Sequence, residues 1–100
     1  MLTLLRDAWT YFRNIDEHEI FHLPFDPPGY REMIKQPIDL QTIEGKLAYY
    51  NSIDELDQDL RLMLKNCVDF NKGKWGEQYA GKISKTWARQ LPKFQNREVS

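Results

Sequence analysis

The stretch SIDELDQDLRLMLKNCVDFN, residues 52–71, decides the fold class. Ile53, Leu56, Leu60, Met63, Cys67 and Phe70 recur at alternating steps of three and four, so they share one face of a helix. Ser52 and Glu55 open it as a capping box, in which the serine side chain and the glutamate satisfy backbone donors reciprocally. Asn71 stands where the stripe stops. Upstream, Asp39 is a good N-cap for a helix presenting Leu40, Ile43 and Leu47. Before that lies a connector with Pro24, Pro27, Pro28, Gly29 and Pro37, whose prolines lack the backbone donor and bias each preceding residue away from helix. It should be largely irregular, with room for a short helix over Tyr30 to Lys35. Leu2, Leu5, Trp9 and Phe12 mark a first helix that fades between Asn14 and Glu19. Downstream, Gly73 and Gly76 bracket a loop, and a last helix carries Tyr79, Ile83, Trp87 and Leu91 until Pro92 ends or kinks it. No segment alternates as a strand, so the expected fold is all-α, a helical bundle.

One hundred residues suffice for one domain, 1–100, with its core at roughly 2–95. With 41% hydrophobic and 29% charged residues the chain reads as globular rather than disordered. No apolar run reaches the roughly 20 residues of a membrane span, so no membrane partner is expected. The single cysteine excludes an internal disulfide and a cysteine-based zinc cluster, which fits a reducing compartment. The net charge of −1 hides an asymmetry: residues 1–59 hold 5 Lys/Arg and 12 Asp/Glu (−7), and residues 60–100 hold 9 and 3 (+6). The acidic part could attract a basic peptide and the basic last helix could touch nucleic-acid phosphates weakly. The plainer alternative is solvated helix faces that attract one another within the fold.

Two features invite catalytic readings. His18-Glu19-Ile20-Phe21-His22 matches H-E-x-x-H, but that zinc motif needs a helix, and Pro24, Pro27 and Pro28 follow at once. Surface histidines in a loop are the simpler reading. Cys67 lies on the apolar stripe, where cysteine behaves as a small hydrophobe rather than a nucleophile. Gly73, Gly76 and Gly81 lack the setting of a phosphate loop. Lys72, Lys74, Lys82, Lys85, Arg89 and Lys93 read chiefly as a solubilising face. Asn71 has two readings: a helix C-cap, or a carboxamide that offers a donor and an acceptor to a neutral amide ligand. Spacing does not choose between them.

Four segments taken together resemble the bromodomain, the acetyl-lysine-reading module. Ile20-Phe21-His22-Leu23-Pro24-Phe25-Asp26 is similar to the family's P-F-x-x-P-V-D. Pro28-Gly29-Tyr30 through Ile34-Lys35-Gln36-Pro37-Ile38-Asp39-Leu40 and on to Thr42-Ile43 and Lys46-Leu47 resembles P-x-Y-x-x-x-I-K-x-P-M-D-L-x-T-I-x-x-K-L. Tyr50 to Leu56 looks like the turn into the family's third helix. Asp59 to Asn71 is similar to D-x-x-L-M-x-x-N-C-x-x-Y-N. The resemblance implies a left-handed four-helix bundle (Z, A, B and C) with a long Z–A loop, and a pocket between that loop and the B–C loop. It implies that Asn71 anchors the acetyl group and that Tyr30 contacts it through an ordered water. Phe21, Pro24 and Phe25 would lie on the connector side, and Cys67 and Phe70 on the other wall. The implied ligand is an acetylated histone tail or another acetylated protein. The protein would be a nuclear, monomeric domain of a larger chromatin-associated chain, with no enzymatic activity, cofactor or metal.

The departures from the family pattern bear on the pocket. The Z–A connector reads about five residues shorter than in familiar members. Glu19-Ile20 stands where many relatives have Trp-Pro, Phe25 replaces a valine, and Phe70 replaces a tyrosine. The loop after Asn71 is one residue longer, so the gatekeeper position falls on Gln78 counting back from Tyr79, on Glu77 counting forward, or on Trp75. Should Phe25 and Trp75 fill the cleft, the alternative is a degenerate bundle that serves as a protein-interaction scaffold.

Overall fold

Helices form in each region where the apolar spacing predicts one, and no strand occurs among the described residues, 1–99, of this computed structural model. Helix α1 spans Leu2–Ile15, α2 Tyr30–Met33, α3 Leu40–Lys46, α4 Ile53–Phe70 and α5 Trp75–Val99, with a 3-10 turn at Leu47–Tyr49 extending α3. The four bundle helices Z, A, B and C are α1, α3, α4 and α5. Their apolar stripes converge on one core: Leu5, Ala8 and Phe12 from α1, Leu40 and Ile43 from α3, Leu56 and Leu60 from α4, Ile83 and Trp87 from α5. Each fully buried large aliphatic or aromatic side chain contributes about 1.5–3 kcal/mol. Packing of this kind is what holds α3, since an isolated helix shorter than about 12 residues is marginal in water.

Asp39 caps α3 by accepting from the Thr42 backbone N–H at 2.9 Å and from its hydroxyl at 2.7 Å. Ser52 accepts from the Glu55 N–H at 3.2 Å, but the Glu55 carboxylate reaches one residue further back, to the Asn51 N–H at 2.6 Å. The expected box is therefore half formed, and the second half secures the preceding turn. Two buried indoles tie helices together. The Trp9 Nε1–H donates to the Leu40 carbonyl at 2.8 Å and the Trp87 Nε1–H to the Asp57 carboxylate at 2.8 Å.

The last helix departs from expectation at both ends. Gly76 is not in a loop: Lys74 N–H closes on Asn71 O at 2.9 Å, Glu77 N–H on Lys74 O at 3.1 Å, and α5 already runs from Trp75. Pro92 does not end the helix, which continues to Val99. An interior proline forfeits a helical hydrogen bond and clashes with the preceding turn, at about 3 kcal/mol. The stretch beyond it is held from outside. Phe94 is buried on Tyr11 and Trp87, Gln95 bonds Asp54, Arg97 bonds Asp7, and the Glu98 carboxylate accepts from the Ile53 N–H.

The connector, residues 16–39, is irregular apart from α2, which stops at Met33 rather than Lys35. It is pinned at intervals. Leu40 N–H donates to Phe21 O at 2.8 Å, and the buried Asn66 amide donates to Gln36 O at 2.8 Å. Gly29, at φ 83°, supplies the left-handed residue that turns the chain into α2.

Candidate functional site

The end of α4, the connector and the first turn of α5 enclose a cavity of about 400 Å³. Phe21, Phe25, Tyr30, Cys67, Asn71 and Trp75 all line it. Six of the sequence-predicted residues thus meet around one space. Phe25 and Trp75 are each more than half exposed and border the cavity instead of plugging it.

Asn71 ends α4 with φ −114° and ψ 28°, outside the left-handed region; Gly73, at φ 73°, makes the left-handed turn instead. The Asn71 carboxamide Nδ2 donates to the Cys67 carbonyl at 2.7 Å. This bond is a side-chain cap; the same nitrogen also donates to the Cys67 Sγ at 3.7 Å, and the two contacts fix the amide plane. Asn71 thus caps α4 through its side chain rather than through a left-handed backbone. Gly76 presses on the same group: a Cβ there would lie 2.6 Å from Asn71 Cγ and 2.7 Å from Oδ1. Burial, with the charge of Asp16 as a second cause, raises the Cys67 thiol above its ordinary value, while the Asn71 hydrogen bond opposes the rise. Cys67 is thus a neutral wall, as its place on the stripe implies.

Tyr30, buried at the start of α2, has its ring edge-on to Phe70 at 4.8 Å and to Phe25 at 5.2 Å. Burial, then the neighbouring Cys67 and Asp26, raises its phenol, so the hydroxyl keeps its proton at physiological pH. Phe70 is not itself on the cavity lining; it braces two residues that are. Pro24 is exposed and also off the lining.

Of the three gatekeeper candidates, only Trp75 borders the cavity. Glu77 turns to its own loop, accepting from Gly73 N–H at 3.0 Å and facing Lys72 at 3.6 Å. Gln78 is exposed and joins Lys82, Lys85, Thr86 and Arg89 around a separate shallow groove on α5. Lys82 there approaches Glu17 at 3.8 Å, an attraction between the acidic and basic parts of the chain.

The H-E-x-x-H segment is a succession of turns and bends, not a helix. The His18 ring packs edge-on to Trp75 and Tyr79, whereas His22 faces Asp16, Glu19 and the Arg13 carbonyl. The two rings therefore serve different contacts. Among the described residues no three His, Cys, Asp or Glu side chains are grouped to hold a metal ion.

Sequence reasoning overlooked the residue that organises this corner. Asp16, 1% exposed, accepts from the Ile20 N–H at 3.0 Å, the Phe21 N–H at 2.8 Å and the Tyr79 hydroxyl at 2.5 Å. Tyr79 donates this bond from a phenol raised by burial and by the bond itself. Asp16 thereby fixes Phe21 at the cavity and joins the end of α1 to α5. Glu19, Leu23, Ile38, Met63 and Gly76 also line the space and were not foreseen. Met63 had a readable signal, one turn before Cys67 and two before Asn71 on the same helix face. Gly76 had none, because its role depends on where α5 begins.

Comparisons with known proteins bear on the family and the fold. The family profile described as Bromodomain matches residues 5–80. Bromodomain-containing factor 1 of Candida albicans is 39% identical over 83 residues, which is 73% of this chain and 11% of that protein. Transcription factor GTE1 of Arabidopsis thaliana is 31% identical over 95% of this chain and 28% of its own length. The chain thus spans less than a third of either curated relative. A crystal structure of a bromodomain from Trypanosoma brucei superposes with a TM-score of 0.86 at 23% identity, covering 94% of this chain and 87% of the other, which speaks for the fold. By profile, by sequence and by fold, this chain belongs to the bromodomain family.

Proposed function

We propose that this domain reads acetylated lysine, most naturally in histone tails, and that it directs a larger chromatin-associated protein in the nucleus. The carrying observation is the Asn71 carboxamide, held by Cys67 and Gly76 at the edge of a cavity walled by Phe21, Phe25, Tyr30 and Cys67. About 400 Å³ falls within the usual range of small-ligand sites. Acetylation turns a lysine ammonium into a neutral amide, whose carbonyl accepts from Asn71 and whose methyl takes the apolar space. An unmodified ammonium would lose its hydration there at a cost of several kcal/mol. An unpaired carboxamide would add roughly 1–3 kcal/mol to the discrimination. Nothing in this chemistry makes or breaks a covalent bond; the activity is recognition. The names of the relatives, a bromodomain factor and a transcription factor, support the nuclear setting. Calorimetry with acetylated and unmodified histone-tail peptides tests the reading. Affinity on the order of micromolar or weaker is expected for the acetylated peptides alone, and Asn71→Ala should abolish it while the circular dichroism stays helical. Binding that survives Asn71→Ala would remove the assigned site.

A further inference from the structure

We infer that Glu19 and Trp75 form a second subsite on the rim, which selects a cationic side chain, arginine or lysine, beside the acetylated lysine. The inference rests on the acetyl-lysine reading and deepens it. Both residues border the cavity, and both point outward, with the Glu19 side chain 73% exposed and Trp75 56% exposed. They lie on the same sector of the rim, because His18, the neighbour of Glu19 in sequence, has its ring 5.4 Å from that of Trp75.

The pair is built in place rather than left loose. Glu19 is the one non-glycine residue among those described with a positive φ, 54°, a conformation unusual for a glutamate. It is imposed from below: the Glu19 N–H closes on the Asp16 carbonyl at 3.0 Å, and the next two N–H groups bind the Asp16 carboxylate. Trp75 stacks one face on Tyr79, with centroids 4.9 Å apart and planes 22° apart. Tyr79 in turn donates to the same Asp16 carboxylate. One buried group therefore sets the position of a carboxylate and of a half-exposed indole, which stacks on Tyr79 and meets the His18 ring edge-on.

The charges nearby leave that carboxylate available. Among the described residues its ionic neighbour is His22 at 3.3 Å, which is cationic only when protonated and also faces Asp16. Lys82 lies against Glu17 and Lys72 against Glu77, while Lys74, on the loop after Asn71, is exposed. A guanidinium suits the vacant combination, since it can lie on an indole face and bond a carboxylate in its plane. A neutral acetyl-lysine has no charge to pair with the carboxylate, so this subsite acts on a flanking residue.

Exposed ion pairs and exposed cation–π contacts are each modest, so a preference of about three- to tenfold is expected, weakening with salt. The test is calorimetry with acetyl-lysine peptides identical except for arginine, alanine or glutamate next to the modified residue, at low and high ionic strength. The expected order of affinity is arginine, alanine, glutamate, with the arginine-to-alanine ratio falling toward one in Glu19→Gln. Glu19→Gly, which also relieves the backbone, should give the same collapse. Equal affinity for all flanks, or a preference that persists in both variants, overturns the subsite alone. Failure of every acetylated peptide to bind overturns the acetyl-lysine reading and the subsite with it.

Discussion

Replacing Gly76 by alanine should separate binding from folding. Within a helix the change favours the helical backbone by up to about 1 kcal/mol. The new methyl, however, would stand 2.6 Å from the Asn71 carboxamide carbon, so the amide must leave its place on Cys67. We expect acetyl-peptide affinity to fall at least about tenfold, equivalent to one good hydrogen bond, with the melting temperature nearly unchanged. Calorimetry and thermal denaturation on the same sample check both halves. At this scale the sequence was partly legible. Asn71 and Tyr30 stood out because their residue types sit at positions a family motif marks, and Met63 was within reach of helical spacing. Gly76 and Asp16 were not, since Gly76 meets Asn71 at the end of another helix, and Asp16 binds connector N–H groups and a tyrosine on α5 that no periodicity joins. The gatekeeper was ambiguous by counting, because the length of the loop after Asn71 does not say which side chain turns inward.

Among the elements, α1, α3, α4 and α5 follow from local pattern: apolar steps of three and four, Asp39 and Ser52 at the caps, prolines in the connector. The path of the connector does not. Its anchors, Phe21 to Leu40, Gln36 to Asn66 and Asp16 to Tyr79, join residues far apart in sequence and leave no periodic trace. Asp16→Ala tests how far one anchor carries the connector. It strands the Tyr79 hydroxyl and two backbone N–H groups, at about 1–3 kcal/mol for each group left dry. Admission of water offsets part of this, so a loss of about 2–4 kcal/mol in urea denaturation is expected, together with weaker acetyl-peptide binding. The end of α5 predicts the opposite sign. Pro92 is exposed, and Pro92→Ala restores an N–H to the helix without touching the core. Stabilisation of about 1–3 kcal/mol is expected, with peptide affinity unaltered. A lower melting temperature would show that the proline sets a bend the flanking contacts require.

For the molecule as a whole, the titrating groups with raised values are mostly phenols, and they predict an alkaline limit. Burial, then the hydrogen bonds to Asp59 and Asp16, pushes Tyr50 and Tyr79 far above the ordinary phenol range, and burial raises Tyr30 less. A raised value means that the folded chain keeps a proton the unfolded chain gives up. The stabilisation is therefore complete below a pH of about 10 and is lost as pH climbs beyond it toward the folded values. Denaturation midpoints should hold steady across the neutral range and fall steeply above about pH 10, more gently in Tyr50→Phe. Charge asymmetry is absorbed only in part by the fold: Arg97 meets Asp7 and Lys82 approaches Glu17 across the two parts, while Lys85, Arg89 and Lys93 remain exposed on α5. The Arg97 contact and that of Glu98 with the start of α4 also fix the direction of the last helix, which leaves the cavity at Trp75 and finishes beside the opposite end of the bundle. Since α1 likewise begins there and ends at the cavity, Leu2 and Val99 both lie away from the mouth. A dye or a biosensor tether placed at the start of α1 or the last turn of α5 will accordingly leave the peptide's approach unobstructed.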